Sequence, residues 1–421
     1  MKRILKKIIP SFIIDFYHIF FPFLGALIYL FPSKKIQVIG VTGTNGKTTT
    51  VKMIHQIMKE AGHKVAYLSS VKFQIDEEEK PNLLKMTMPG RMIIQRFIRE
   101  AVNKGCDYLV IEVSSEGIKQ HRHRFIDFDR VLITNLSPEH IEAHKGFDNY
   151  KKAKGDLFRI NQKIHIVNLD DEHSNFFLSF KSKEKIGYAM RFNKEFKGKK
   201  VQAKNPTISN NGISFQIDEI DFQIPIIGKF NIYNALAAIS VATSYEIPLN
   251  IASRALSKIA TIPGRMEEVI SSPFKVLIDY AVTPQSLEEL YKTVKEIFPQ
   301  KRMIAVLGSC GGGRDRWKRD IMGRIAATHC DQVIVTNEDP YDEDPLKIIE
   351  DVAQGAGKDA LRIEDRREAI RRALSLAEKE DIIIITGKGS EPWICLKDNK
   401  KMPWNEREVV QEEFEKLNKE K

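Results

Sequence analysis

The chain has 421 residues, 42% hydrophobic and 29% charged, with a formal net charge of +10. This length allows two or three domains, at ~100–200 residues each, and the composition excludes a disordered or fibrous chain. The basic excess suits an anionic membrane surface or a phosphorylated substrate; no aromatic-interleaved basic stripe is present, so nucleic acid is not expected as a partner.

Residues 8–31 are largely apolar, with Lys2, Arg3, Lys6 and Lys7 before them and Lys34 and Lys35 after them. The stretch is near the ~20 apolar residues that a spanning helix needs. Asp15, His18, Pro10 and Pro22 argue against a clean span, and no Ala-x-Ala site marks a removed signal peptide. Three readings stay open: a membrane-seated helix or re-entrant segment, a spanning anchor, or a hydrophobic arm packed on the protein.

A strand is predicted over Ile36–Val41, followed by the run Gly40-Val-Thr-Gly-Thr-Asn-Gly-Lys-Thr-Thr-Thr50 and a helix over Thr48–Ala61. Strand, glycine loop, lysine, hydroxyl and helix make a phosphate-binding loop. Backbone N–H groups would face a polyphosphate, Lys47 would reach its outer phosphates, and the Thr48 hydroxyl would ligate Mg²⁺. The spacing departs from the common pattern, with Gly43 as the nearer glycine. A strand over Val65–Leu68, a helix over Gly90–Lys104 and strands over Tyr108–Val113 and Arg130–Thr134 follow. This alternation predicts a parallel sheet covered on both faces, with ligands at the C-terminal strand ends. The loops Thr42–Lys47, Ser114–Arg124 and Asn135–His144 lie there. Glu112, at the end of its strand, is a candidate metal ligand. His140 and His144, four apart, would share one helical face.

Residues 195–227 read as β hairpins, with strands over Ile213–Ile217 and Phe222–Ile226, before a helix over Asn231–Tyr245. A second α/β unit begins near Pro263, with strands over Lys275–Asp279, Met303–Leu307, Gln332–Thr336 and Asp381–Ile385. The expected organisation is an N-terminal hydrophobic segment (1–35), a central domain (36–262) and a C-terminal domain (263–421), without internal repeats. The four cysteines, Cys106, Cys310, Cys330 and Cys395, lack metal-site spacing, and a reducing cytoplasm fits them, with the inner membrane face as a possible seat.

The run Gly43-Thr-Asn-Gly-Lys-Thr-Thr49 resembles the ATP loop of the Mur ligases, which have folylpolyglutamate synthetases as relatives. Glu112-Val-Ser-Ser-Glu-Gly-Ile-Lys-Gln-His-Arg122 is similar to the MurE type, which adds the third amino acid of the peptidoglycan stem. So are Thr134–His140, Gly228–Asn234, Pro263–Glu267, Asp279–Pro284, Cys310–Asp315 and Gly387–Glu391, in the family's order. The resemblance implies a central P-loop ATPase-like domain with a parallel sheet and a C-terminal Rossmann-like α/β domain. It implies that Gly43, Thr44, Asn45, Gly46, Lys47, Thr48 and Thr49 hold ATP and one Mg²⁺, and that Glu112 and His140 hold a second Mg²⁺. Lys154 matches the lysine that the family carbamylates; from its residues alone it reads as a solvated helix-face lysine. Asn231 and Asn234 would lie near adenine, and Arg265 and Asp279 would reach the nucleotide, Asp279 at the ribose. Thr87, Ser114, Gln120 and Arg122 would touch the acceptor peptide; Arg314, Asp339 and Glu391 would meet the incoming amino acid.

The departures concern substrates. Full MurE-type enzymes carry an N-terminal domain for the UDP moiety, whereas the residues before the loop here are hydrophobic, so a lipid-linked acceptor competes with a UDP-linked one. Diaminopimelate-adding members carry Asp-Asn-Pro-Arg where this chain has Glu338-Asp-Pro-Tyr341, and Tyr341 makes no bidentate ion pair with a carboxylate. Ser390, Val282 and Met88 also replace family residues, which leaves diaminopimelate, lysine or another amine open. The expected activity is ATP-driven amide formation by a monomer in cell-wall precursor synthesis. The competing readings are a folylpolyglutamate-synthetase-like ligase and a non-catalytic, membrane-tethered ATP-binding protein.

Overall fold

The computed structural model describes residues 11–84, 86–191, 195–259 and 261–420; Pro10 and the basic residues Lys2, Arg3, Lys6, Lys7 and Lys194 lie outside them. Nine strands build the first sheet: β1 (Gln37–Thr42), β2 (Val65–Leu68), β3 (Lys72–Ile75), β4 (Glu78–Pro81), β5 (Tyr108–Glu112), β6 (Phe128–Ile133), β7 (Ile164–Asn168), β8 (Glu184–Ala189) and β9 (Lys199–Gln202). Their order is β4-β3-β2-β5-β1-β6-β7-β8-β9. Pairing is parallel from β2 through β9, and β3 and β4 form an antiparallel edge.

The helices packed with this sheet are α1 (Ser11–Ile28), α2 (Lys47–Glu60), α3 (Arg91–Asn103), α4 (Phe147–Ile160), α5 (Phe230–Ser244) and α6 (Leu249–Ser257). Both sheet faces are buried, as the near-continuous apolar strands require. Ile39 and Val41 point into a core shared with α2, α5 and α6. Val38, Leu109 and Ile111 point the opposite way, into a core shared with α3 and α4. This is the period of two along a strand.

The hairpins expected over 195–227 are corrected in part. Strands β10 (Lys204–Ser209), β11 (Gly212–Ile217) and β12 (Ile220–Ile224) do form an antiparallel sheet. The segment before them joins the large sheet instead, with Lys199 beside Ile186 in parallel register. A short, polar edge strand carries no local sign of its partner. The β3–β4 hairpin lacks a sequence signal for the same reason.

The second sheet contains β13 (Glu267–Ile270), β14 (Lys275–Asp279), β15 (Met303–Leu307), β16 (Gln332–Thr336), β17 (Leu361–Ile363) and β18 (Ile382–Thr386), in the order β13-β14-β18-β15-β16-β17. Only β13 pairs antiparallel in it. Helices α7 (Pro284–Ile297), α8 (Arg319–His329) and α9 (Pro345–Ala356) cover one face; α10 (Arg366–Leu376) and α11 (Glu406–Glu420) cover the other. The first turn of α7 is fixed by a capping box, in which Thr283 Oγ1 accepts from Ser286 N.

Among the described residues no helix is long and apolar enough to cross a membrane, so the spanning-anchor reading does not describe them. Helix α1 packs on α3. A Cβ on Gly25 would lie 3.3 Å from Met92 Cα, and Arg99 donates from Nε and Nη2 to Tyr29 O at 3.0 and 2.6 Å, satisfying a terminal carbonyl of the helix.

Arg366 pins the second sheet to α11. Its buried guanidinium donates to Glu406 Oε2 (3.0 Å), Asn337 O (3.1 Å) and Thr386 O (2.7 Å). Arg366→Ala would strand Glu406 without its partner and is expected to cost about 3–5 kcal/mol in denaturant unfolding. Glu413 is the other tie: burial would raise its pKa, but Lys416, Arg371 and Arg367 hold it down at about 2. Its contribution is therefore full above the ordinary carboxylate pKa and is lost as pH falls toward about 2. Glu413→Gln is expected to flatten that acid limb of the stability–pH curve.

Candidate active site at the strand ends

Strands β5, β1 and β6 are neighbours and end level, with Val41 beside Glu112 and Thr42 beside Ile133. The loops that leave them therefore meet. In the first loop Gly43 and Gly46 have φ of 146° and 81°. A Cβ on Gly43 would lie 1.8 Å from Thr134 Oγ1, and one on Gly46 would lie 2.2 Å from Asn234 Oδ1. Only glycine fits either place. The loop is held by β6: Thr44 N donates to Asn135 O (2.9 Å), Asn45 N to Asn135 Oδ1 (2.9 Å) and Thr134 Oγ1 to Asn45 O (2.7 Å). Thr49 is buried in the first turn of α2. Lys47 Nζ folds back onto Gly43 O (3.2 Å) and Thr44 O (2.9 Å) and lies 4.0 Å from Glu112 Oε1.

Glu112 is the hub. Its Oε2 accepts from Thr48 Oγ1 (3.0 Å), Ser70 N (2.9 Å) and Ser70 Oγ (3.2 Å). This is a compact set of hard oxygen donors, the kind that suits Mg²⁺. Lys154 lies beneath the loop and is 1% exposed, which corrects the solvated-lysine reading. Its Nζ donates to Gly43 O at 2.6 Å and lies 4.8 Å from the Tyr150 ring centroid. Among the described residues no carboxylate reaches it as an ion pair. Burial therefore pushes its pKa well below the usual lysine value, and the charge of Lys47 adds to this while Glu112 opposes it. The neutral form of a primary amine is the one that adds to CO₂, and burial favours that form of Lys154. His140 packs near Tyr150 at 6.2 Å between ring centroids, and burial, with Arg314 and three lysines around it, pushes it down to about 2. It is a neutral imidazole, able to ligate a metal. His140 has φ 55° and precedes a single helical turn, Ile141–His144; His144 Nε2 lies 3.1 Å from Ser115 Oγ.

At the N-terminal turn of α5, Asn234 Nδ2 donates to Asn231 Oδ1 (2.9 Å), and Thr50 Oγ1 lies 3.4 Å from Asn234 Oδ1. The second sheet faces this cluster. Asp279 Oδ2 accepts from Met266 N at 2.8 Å; burial raises its pKa to about 6, against the pull of Arg265. The Arg265 guanidinium lies 4.7 Å from the Tyr280 ring centroid. Lys318 crosses to the first unit, donating to Glu139 Oε1 and Oε2 (3.0 and 3.2 Å) and to Val282 O (2.8 Å). Asn45 Nδ2 donates to Thr283 Oγ1 at 3.4 Å, and Glu142 N to Asp315 Oδ1 at 3.0 Å.

Further along the second sheet lies a buried cluster of charged residues. Lys388, fully buried, donates to Asp339 Oδ1 (2.9 Å) and Glu391 Oε2 (2.7 Å), and Tyr280 Oη donates to Glu391 Oε1 (3.1 Å). Cys310 Sγ donates to Glu338 Oε1 at 2.8 Å. Burial works against the Arg314 charge, but Cys310, Tyr341, Tyr280 and Glu391 hold its pKa above the usual value. The Tyr341 ring closes on Gly312, where a Cβ would come within 2.8 Å of it.

The remaining predicted residues form a separate group. Ser114 Oγ accepts from Gly117 N (3.1 Å), and Arg122 Nη2 donates to Gln120 Oε1 (2.7 Å). Arg122 Nη1 donates to Met88 O, which joins this group to Thr87. The sequence motifs do not single out Ser70, Tyr150, Glu139, Lys318, Tyr280 or Thr283 as site residues. Ser70 follows a strand next to β5, so strand-end logic would find it. Lys318 offers no such signal.

A model of the Mur ligase middle domain matches residues 41–242, and one of the Mur ligase glutamate ligase domain matches 264–389. The UDP-N-acetylmuramoyl-L-alanyl-D-glutamate--2,6-diaminopimelate ligase of Clostridium botulinum is 37% identical over 391 residues, covering 90% of this chain and 78% of its own length. The ligase of that name from Caldanaerobacter subterraneus is 38% identical over 391 residues, with the same coverage. A solved structure of a ligase of that name aligns with a TM-score of 0.61 at 28% identity, over 91% of this chain and 79% of its own. A folylpolyglutamate synthase from Mycobacterium tuberculosis, complexed with ADP and AMPPCP, shares the fold with a TM-score of 0.72 at 17% identity, over 87% of this chain and 92% of its own.

Gly46→Ala tests the loop. The left-handed φ alone costs about 1–2 kcal/mol, and the contact with Asn234 adds to it. Gly62 has φ 89° and nothing within 4 Å of the place a Cβ would take, so it supplies the control. Gly46→Ala is expected to lower the unfolding midpoint more than Gly62→Ala.

Proposed function

The chain belongs to the Mur ligase family, and we propose that it joins an amino acid to the free carboxylate of a muramoyl-dipeptide acceptor, driven by ATP, in peptidoglycan precursor synthesis. The observation that carries this is the cluster of Lys47, Thr48, Glu112 and the buried Lys154 at the end of the parallel sheet, closed over by a second unit with its own buried charges.

The acceptor carboxylate attacks the γ-phosphorus of ATP, giving an acyl phosphate and ADP. The amine of the amino acid, in its neutral form, attacks the acyl carbon; phosphate leaves and the amine gives up a proton. Thr48, Glu112, His140 and a carbamylated Lys154 would hold Mg²⁺, which neutralises phosphate charge when bound. The oxygen donors on Glu112, the neutral imidazole and the buried amine whose pKa burial lowers all support that assignment. Lys47, freed from the loop carbonyls, meets the transferred phosphoryl group. Asn231 and Asn234 sit where adenine would be met, and Arg265 and Asp279 serve the nucleotide from the other side. Thr87, Ser114, Gln120 and Arg122 take the acceptor peptide. Arg314, Asp339 and Glu391 take the amino acid, with Lys388 positioning both carboxylates.

Phosphate release from ATP is expected to require both acceptor and one member of an amino-acid panel spanning diaminopimelate and lysine. Lys47→Ala is expected to reduce it about 100-fold or more. Release independent of any amine would overturn the ligase reading in favour of simple nucleotide binding or hydrolysis. Lys154→Ala is expected to lose activity and to regain part of it with millimolar formate or acetate, whose carboxylate replaces the carbamate. The KM for ATP is expected to rise as pH falls through about 6, where Asp279 takes up its proton, and Asp279→Asn should abolish that dependence.

A further inference from the structure

Helix α1 is turned inside out for a helix on a protein surface. With 100° per residue, Phe16, Ile19, Phe20, Phe23, Leu27 and Ile28 share one half of it, and all are exposed, Phe16 to 66%. Pro22, Gly25 and Ala26 occupy the opposite half and are buried. Asp15, the one carboxylate of the helix, falls on the side of Pro22 and Ala26, within electrostatic reach of His121. A helix that covers a soluble core shows the reverse pattern.

The apolar surface continues beyond the helix. The Phe23 ring lies 5.4 Å from that of Phe125, and Leu30, Leu83, Leu84 and Met86 are exposed as well. Met86 Sδ is 3.7 Å from Arg122 Nη1. Met86 thus sits beside Arg122, one of the residues proposed above for the acceptor, and Phe125 follows Arg122 by three positions. Lys34 and Lys35, both exposed, follow the helix, and Lys2, Arg3, Lys6 and Lys7 precede it in the sequence.

An aromatic-rich apolar half with basic residues at both ends complements an anionic bilayer: rings enter the headgroup–acyl boundary and ammonium groups meet lipid phosphates. The same charges oppose a second copy, because face-to-face packing of two such helices would set basic ends against basic ends. No helix among the described residues is long and apolar enough to cross a membrane, and a helix with one exposed apolar half is suited to lie in the plane of the interface.

We infer that the outer face of α1, together with the exposed Leu83, Leu84, Met86 and Phe125, is a seat on an anionic phospholipid bilayer that holds the acceptor side of the site against the membrane. The inference rests on the ligase reading in one respect: it names the acceptor as a membrane-borne amphiphile rather than a freely diffusing molecule.

The test is sedimentation of the full chain with vesicles of phosphatidylglycerol and phosphatidylcholine, against phosphatidylcholine alone. The wild type is expected to bind the anionic vesicles. A Phe16→Ser, Phe20→Ser, Leu27→Ser variant should bind about tenfold or more weakly. A Lys34→Glu, Lys35→Glu variant should lose the preference for anionic lipid. Turnover of an acceptor embedded in vesicles should fall with the triple variant, while turnover of a soluble acceptor stays unchanged. Failure of the wild type to bind vesicles overturns the inference, as does a wild-type dimer by light scattering that the triple variant converts to monomer. Vesicle binding without amine-dependent phosphate release supports the seat and counts only against the catalytic reading.

Discussion

The site rests on one constraint: β5, β1 and β6 lie side by side, run parallel and end level. A parallel sheet sends each crossover helix back past its own strand, so every loop that leaves a strand end emerges on the same edge. Glu112 at the end of β5, the glycine loop after β1 and the Thr134–Asn135 corner after β6 are thereby brought within hydrogen-bond reach, although they are spread along the chain. The loop is held in shape by backbone, hydroxyl and amide contacts from the end of β6 and by Lys47 folding back onto its carbonyls. Its glycines then follow as a necessity of space, because Thr134 and Asn234 fill the volume that a side chain would take.

How much of this is legible in the sequence depends on whether the signal is local. The loop announces itself through residue types at fixed spacing, and Glu112 through its position at the end of an apolar strand. Strands with strong apolar patterns, such as Met303–Leu307, have the predicted bounds. Lys154 is the opposite case. On α4 it reads as one of several lysines in a polar stretch, and only the packing of that helix beneath the loop reveals that its amine is enclosed. Polar edge strands such as β9 are hidden for a related reason: the partner that makes them strands lies elsewhere in the chain. The family resemblance adds what the residues alone do not, notably the carbamylation proposed for Lys154.

The site contains two buried lysines in contrasting electrical settings. Lys388 sits between Asp339 and Glu391, 2.9 and 2.7 Å from their oxygens. Lys154 has a carbonyl, the Thr42 hydroxyl and a ring, which stabilise a proton far less than a carboxylate does. The same residue type is thus bracketed by two carboxylates in one unit and enclosed without one in the other. This difference matches the tasks assigned to them, one fixing two carboxylates and the other becoming an anionic ligand.

The Lys318–Glu139 bridge carries a consequence for motion. Both partners are buried, and they belong to different units. Salt screens such a contact weakly, and widening the cleft would uncover both charges together. A small displacement loses most of the attraction before water fully replaces it. The two units are therefore driven toward fully joined or fully parted arrangements, with intermediate openings disfavoured. Entry of substrate and departure of product would then be governed by the lifetime of a latch, rather than by the width of a breathing gap.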